Sequence, residues 1–332
     1  MKTKMVKFTF FAIGFLYLVS CTKERQIKNE GELVPKTVEQ DLSLPSLNVN
    51  NTKLHAEAFG PPDSALLIIL HGGPGSDYRS LLNCKAFASQ GYRVVFYDQR
   101  GSGLSKRHPK SNFSLQVMYD DLSAVIANYK KSATQKVFLL GHSWGAMLAT
   151  AFINLHPNAI NGAILAEPGG LVWQDIADYI DRSRSIKITR ELQNDILYSD
   201  QFITGRNDQH AILDYKYALL TVADGNKDNP TGNESRPPFW RPGAIVNQAL
   251  FDIAEKEKPQ WTNNLHGFTT KVFFAYSENN RAYGLAHAQK VSAAYPNVQL
   301  FKVNGAGHDM MSFTTGWNNF FPAALNYLNS LK

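Results

Sequence analysis

The chain has 332 residues, of which 44% are hydrophobic and 19% charged, and this composition excludes a disordered or low-complexity protein. Its length allows two domains or one large α/β unit with an insertion. The formal net charge is +6, but three of the lysines precede residue 8, and no basic patch with interleaved aromatic residues follows them. Nucleic acid is therefore not an expected partner.

The first twenty residues are predicted to be a signal peptide. A basic stretch, MKTKMVK, precedes the apolar run FTFFAIGFLYLV, which is short for a transmembrane helix. The run ends in LVSC, which resembles a bacterial lipobox, so Cys21 is the expected lipidation site, and a plain secretory signal is the alternative. Residues 21–46 then form the lipidated cysteine and a polar tether. We expect a lipid anchor in the bacterial cell envelope, facing the periplasm or the outer surface. Cys84 is then expected to be a buried, inert thiol.

The following segment shows a strand–loop–helix rhythm. Helical patterns cover 114–131 and 145–157, and short apolar runs occupy 65–70, 92–97, 136–140, 162–166, 271–276 and 298–303. Near-continuous apolar strands that alternate with helices predict an α/β fold with a mostly parallel sheet. Residues 47–168 and 267–332 are the predicted core. The segment 169–266 lacks a clear core strand and predicts a mostly helical cap.

The pentapeptide GHSWG at 141–145 is the candidate nucleophile motif. It follows an apolar strand and precedes a helical pattern, which is the context that G-x-S-x-G requires. A sharp turn there presents the hydroxyl of Ser143, and an ordinary helix-capping serine is the alternative. HGGPG at 71–75 also follows a strand, and the backbone amides of Gly73 and Trp144 are the expected oxyanion donors.

GAGHDMM at 305–311 follows the last predicted strand and contains the candidate general base. His308 is placed there to meet Ser143, because the order serine, acid, histidine matches the α/β-hydrolase arrangement. HGGPG, DQRGSG (98–103) and GHSWG, in this order and spacing, resemble the proline iminopeptidase group of α/β-hydrolases. The resemblance implies a serine aminopeptidase with a helical cap. Asp98 and Arg100 of DQRGSG are interpreted as braces for the surrounding loops.

The acid of the triad is not evident from this resemblance. In the family the loop after the penultimate strand carries an aspartate, but here SENN places Ser277 on the family glycine and Asn280 on the aspartate. Glu278 lies in the same loop and is one candidate. Glu167 ends the strand GAILAE and is the other, since some α/β-hydrolases carry their acid at the end of this strand. The alternative role for Glu167 is to bind a substrate ammonium group, and these alternatives stay open.

The sequence therefore predicts a lipid-anchored serine hydrolase that forms an acyl-enzyme. A short peptide with a free N-terminus, with proline as a candidate first residue, is the expected substrate, and neither a metal nor an organic cofactor is expected. An esterase, lactonase or amidase on the same core is the nearest alternative, because one fold hosts many chemistries. A non-catalytic surface binding lipoprotein is the alternative of another class.

Overall fold

The computed structural model describes residues 32–184, 208–223 and 229–332. Within these ranges eight strands form one sheet: Ser46–Val49 (β1), Thr52–Phe59 (β2), Ala65–Leu70 (β3), Tyr92–Tyr97 (β4), Val137–His142 (β5), Gly162–Ala166 (β6), Val272–Ser277 (β7) and Val298–Val303 (β8). Their order is β1-β2-β4-β3-β5-β6-β7-β8, and all pairings from β4 to β8 are parallel. The predicted α/β fold with a mostly parallel sheet is confirmed.

Helices cover both faces of the sheet. Those described are Leu115–Tyr129 (α1), Trp144–Leu155 (α2), Trp173–Ser183 (α3), Gln209–Ala223 (α4), Ala244–Glu257 (α5), Gly284–Ser292 (α6) and Thr314–Ser330 (α7), with a 3₁₀ helix at Tyr78–Gln90. Every residue of β5, β6 and β7 is buried, because helices pack on both sides of these central strands. Two hydrophobic clusters, one on each face, form the core.

The N-terminal edge of the sheet is a hairpin that the apolar pattern did not indicate. Strands β1 and β2 pair antiparallel around Asn50 and Asn51, whose φ angles of 43° and 59° suit a tight two-residue turn. The prediction of a tether as far as residue 46 also needs correction. Thr37 and Val38 are buried, and the Val38 amide donates to the Leu104 carbonyl at 2.8 Å, so this stretch packs on the core.

The described part of the insertion between β6 and β7 contains the helices α3, α4 and α5 and a loop at residues 229–243. A buried ion cluster fastens it to the core. Asp214 of α4 accepts from Arg107 Nε at 2.9 Å and from Arg241 Nε at 2.7 Å, and its other oxygen accepts from the Ala244 amide. All three charged side chains are buried, so the base of the cap is held in one position.

The predicted signal peptide and Cys21 lie outside the described residues, so lipidation and localisation stay predictions. Within the described ranges, no helix is both long and apolar enough to cross a membrane. Cys84 is fully buried beside Met311, and burial raises the pKa of its thiol.

Candidate active site

Ser143 stands on a strained turn between β5 and α2. Its φ of 53° and ψ of −120° lie in a region that residues other than glycine seldom adopt. The flanking glycines permit this turn: a Cβ on Gly141 would lie 2.4 Å from the Gly145 carbonyl oxygen, and one on Gly145 would lie 2.1 Å from the Leu70 carbonyl oxygen. The G-x-S-x-G spacing therefore follows from close backbone contact around a half-buried serine that borders a cavity.

Glu167 and His308 form a buried pair at the same edge of the sheet. Glu167 follows β6 directly, His308 lies in the loop after β8, and the Glu167 Oε2 to His308 Nδ1 distance is 2.7 Å. Glu167 is completely buried and adopts a positive φ of 47°. Parallel strands end at one edge of the sheet, so residues 141 positions apart in the chain meet there.

The loop after β7 supports the Glu167 carboxylate instead of supplying one. The backbone amide of Ser277 and its hydroxyl donate to Glu167 Oε1 at 2.7 and 2.6 Å, and Asn280 Nδ2 donates to Oε2 at 2.8 Å. Asn280, at the family's aspartate position, is thus a donor to the displaced acid. An aspartate at 280 would bring a second carboxylate against the first.

Glu278, the second candidate acid, is not brought to the site. Its side chain is 44% exposed and pairs with Lys302 Nζ at 2.8 Å, and its other oxygen accepts from the Gly305 amide. The Lys302 hydrogen bond and charge lower the pKa of this carboxyl. The interpretation of Glu278 as the acid partner of His308 is therefore wrong, because successive strand-end residues point in different directions.

The environment of His308 suits a general base. Burial opposes its charged form, but the hydrogen bond and charge of Glu167 outweigh this and hold the pKa of His308 above its ordinary value. Tyr179 of cap helix α3 places its hydroxyl 3.2 Å from His308 Nδ1 and 3.2 Å from Asn280 Nδ2. Burial raises the pKa of Tyr179, so its hydroxyl stays protonated. The cap thus contacts the base directly.

The predicted oxyanion residues border the nucleophile. Gly73 and Trp144 line the same cavity as Ser143 and His308. The HGGPG loop passes close to the nucleophile, since a Cβ on Gly72 would lie 3.2 Å from the Ser143 Cβ. Gly73 has a φ of 116°, which only glycine adopts readily. Backbone amides at these two positions suit an oxyanion hole.

Two cavities meet at His308 and share Gly73, Pro74 and Thr231. The first, here called the apolar cavity, has a volume of about 230 Å³ and contains Ser143. Its wall is mainly aromatic and aliphatic, including Met147, Trp173, Ile176, Leu250, Phe251 and Trp261. The second, here called the polar cavity, has a volume of about 260 Å³ and is lined by side chains that include Thr221, Asn233, Arg236 and Asp309.

Asp98 and Arg100 of DQRGSG hold neighbouring segments of the core together. Asp98 accepts from the amides of Tyr78 and Leu104 and pairs with His55 Nδ1 at 2.8 Å. Arg100 makes a two-pronged ion pair with Asp121 at 2.8 Å. In the described part of the chain, no group of three or more His, Cys, Asp or Glu residues is arranged to hold a metal ion.

Sequence reasoning missed two contributors to this site. Ser277 was aligned with a family glycine, yet it donates two hydrogen bonds to Glu167, and its place at the C-terminal end of strand β7 was the available signal. Tyr179 carried no signal, because it lies in a cap helix that reaches His308 only in three dimensions.

The chain is similar in sequence to several hydrolases. Residues 61–219 match the family model of serine aminopeptidases, S33. The chain is 36% identical over 121 residues to epoxide hydrolase B of Mycobacterium tuberculosis, a match covering 36% of this chain and 33% of that protein. It is 33% identical over 185 residues to a proline iminopeptidase of Heyndrickxia coagulans, covering 54% and 61%.

A solved structure shares the fold over most of the chain. The proline iminopeptidase of Mycobacterium smegmatis superposes with a TM-score of 0.56 at 17% identity, covering 87% of this chain and 98% of that one. The matched segments span about a third of the first curated relatives. The structure has the α/β-hydrolase fold, and the motifs and sequence matches make the chain similar to the proline iminopeptidase group of these hydrolases.

Proposed function

We propose that this protein is a serine hydrolase that transfers a small apolar acyl group from an ester or amide to water. The observation that carries this proposal is the hydrogen-bonded Glu167–His308 pair, whose His308 borders one cavity together with the strained Ser143. Ser143 Oγ attacks the carbonyl carbon while His308 accepts its proton. Glu167 stabilises the imidazolium that forms.

The amides of Gly73 and Trp144 are the proposed donors to the tetrahedral oxyanion. Collapse of this intermediate passes the proton from His308 to the leaving group and forms an acyl-Ser143 ester. Water, deprotonated by His308, then attacks that ester and releases the acid. The imidazole of His308 therefore transfers the proton in both half-reactions.

The apolar cavity supports the choice of acyl group. Its aromatic and aliphatic wall favours an uncharged, apolar acyl portion through burial of apolar surface. Arg184 also lines this cavity, with its guanidinium carbon 5.9 Å from the centre of the Phe251 ring. Its positive charge disfavours a substrate ammonium group nearby. An ester or amide with an uncharged acyl group therefore suits this cavity best.

The second candidate function is an aminopeptidase that removes an N-terminal apolar residue such as proline. The match to the serine aminopeptidase model and the relative from Heyndrickxia coagulans favour it. A cavity of about 230 Å³ also has room for a pyrrolidine ring. The two functions differ in whether the substrate carries a free amino group.

One panel tests both functions on residues 32–332. It pairs 4-nitroanilides of proline and phenylalanine with their N-acetylated forms, and adds 4-nitrophenyl butyrate and hexanoate, with Ser143→Ala as background. We expect turnover of the esters and of the acetylated compounds, at rates abolished by the substitution. Turnover of the free-amine anilides alone would establish the aminopeptidase instead. A protein that turns over none of these and resists a fluorophosphonate probe would be a binding protein, contrary to the proposal.

A further inference from the structure

The two cavities meet at the catalytic histidine. Ser143 borders the apolar cavity, whereas His308 borders both. The acyl group must stay with Ser143, and the leaving group must receive its proton from His308. If the proposed function holds, the leaving group therefore departs toward the polar cavity.

We infer that the polar cavity binds a leaving group that carries a carboxylate, and that Arg236 is the residue that recognises it. The substrates are then esters or amides of a small apolar acid with a hydroxy acid, an amino acid or another small carboxylate-bearing alcohol or amine. This inference rests on the proposed function and adds the chemistry of the departing half.

Arg236 is half-buried and held in place without a carboxylate partner among the described residues. Its guanidinium lies 3.9 Å from the centre of the Phe239 ring, donates to the Ala218 carbonyl at 3.3 Å and contacts the Thr221 hydroxyl. These partners are neutral, and burial lowers the pKa of Arg236. A cation that is fixed and partly desolvated at a cavity wall is a strong site for an anion, since Arg binds carboxylates through a planar fork.

The polar cavity also contains the carboxylate of Asp309, which has other partners than Arg236. Asp309 adjoins His308, and Asn233 binds it reciprocally: Asn233 Nδ2 donates to its carboxylate, and the Asp309 amide donates to Asn233 Oδ1 at 2.8 Å. Arg236 is instead attached to cap helix α4. The carboxylate of the leaving group therefore pairs with Arg236, since the like charge of Asp309 disfavours a position against that residue.

The loop that carries Arg236 is fixed at its far end. Asp77 accepts from the amides of Trp240 and Arg241 at 2.6 and 3.1 Å, which joins this loop to the segment after HGGPG. The loop that carries Arg236 is thus connected by hydrogen bonds to the segment next to the proposed oxyanion loop. The position of Arg236 relative to His308 is accordingly defined by the fold.

The test compares hexanoyl esters of 4-hydroxybenzoate and 4-hydroxybenzamide, which differ in the carboxylate alone. The readout is the ratio of their kcat/KM values, each corrected for spontaneous hydrolysis. A charged hydrogen bond predicts a ratio of about ten to a hundred for the native protein. Arg236→Gln is expected to bring the ratio close to one, and Arg236→Lys to keep part of it.

Arg79→Gln is the matched control. Arg79 is exposed, donates to the Phe239 carbonyl at 2.8 Å and is not part of the wall of the polar cavity, so the ratio should not change. Thermal melting of each variant separates loss of recognition from loss of folding. Equal kcat/KM values for the two esters in the native protein, or an unchanged ratio in Arg236→Gln, would overturn the inference and leave the proposed function standing.

A binding measurement decides the inference even if neither ester is hydrolysed, an outcome that would count against the proposed function alone. Calorimetry on Ser143→Ala uses 4-hydroxybenzoate and 4-hydroxybenzamide as probes. Binding of the benzoate but not the benzamide, lost when Arg236→Gln is added, supports the inference. Equal binding of the two probes, or no binding of the benzoate, overturns it.

Discussion

Replacing Glu167 by glutamine tests the central feature of the site. The carboxylate accepts four hydrogen bonds, two from Ser277, one from Asn280 and one from His308. A glutamine keeps the size but has one acceptor oxygen, so its amide nitrogen must face groups that also donate. The His308 imidazolium that forms during attack then lacks its negative partner.

The expected loss in activity is large. Exchanging the acid of a serine-protease triad for its amide lowers kcat by about 10⁴, which corresponds to about 5.4 kcal/mol of transition-state stabilisation. We expect kcat/KM for the Glu167→Gln protein to fall by about 10³ to 10⁴. Leaving buried donors unsatisfied should also lower the free energy of unfolding by about 1–3 kcal/mol.

The pH dependence of kcat/KM gives an independent test of the Glu167–His308 pair. His308 acts as a base only when neutral, and the hydrogen bond and charge of Glu167 hold its pKa above the ordinary value despite burial. In Glu167→Gln burial is opposed only by the charge of Asp309, so the pKa of His308 falls and the rising limb of kcat/KM against pH moves to lower pH. The assay is ester hydrolysis between pH 5 and 9, on protein shown by thermal melting to be folded.

Glu278→Gln is the matched control. This residue lies in the neighbouring loop, pairs with Lys302 and is largely solvated, so its activity and pH profile should equal those of the native protein. A large loss in Glu278→Gln together with a small loss in Glu167→Gln would refute the assignment of Glu167 as the partner of His308.

Three further substitutions probe the same structure. Asn280→Asp places a second carboxylate beside Glu167, which raises the pKa of the two carboxyl groups in the folded state, so stability is lost as pH rises. The melting temperature of the Asn280→Asp protein should therefore lie further below the native value at pH 8 than at pH 5. Equal differences at the two pH values would contradict this repulsion. Asp214→Asn leaves two buried arginines without their carboxylate and should cost about 3–5 kcal/mol, with faster amide exchange first in α4; uniform exchange would argue against its role as the cap anchor. Gly145→Ala forces a Cβ to 2.1 Å from the carbonyl that ends β3 and should destabilise by about 1–3 kcal/mol or more in urea unfolding, whereas native stability would exclude such close packing.

The positions of the central strands could be predicted from the sequence because each strand is buried on both faces and forms a continuous apolar run. Predicted and observed bounds agree for β3, β4, β6 and β8 and differ by one or two residues for β5 and β7. The hairpin of β1 and β2 was missed because its strands are only partly buried and lack a continuous apolar run. The docking of Thr37 and Val38 was missed for a related reason, since most of their neighbours are exposed.

The sequence by itself determined the nucleophile turn, the position of His308 and the order of the core elements. These depend on local chemistry: glycines that permit a strained turn, and apolar runs that must be buried. Tertiary structure alone decided which acid meets His308, how Ser277 and Asn280 support it, and that Tyr179 reaches it from the cap. Those contacts join residues that are 101 to 141 positions apart, and only the parallel ends of neighbouring strands and the placement of the cap bring them within hydrogen-bond distance.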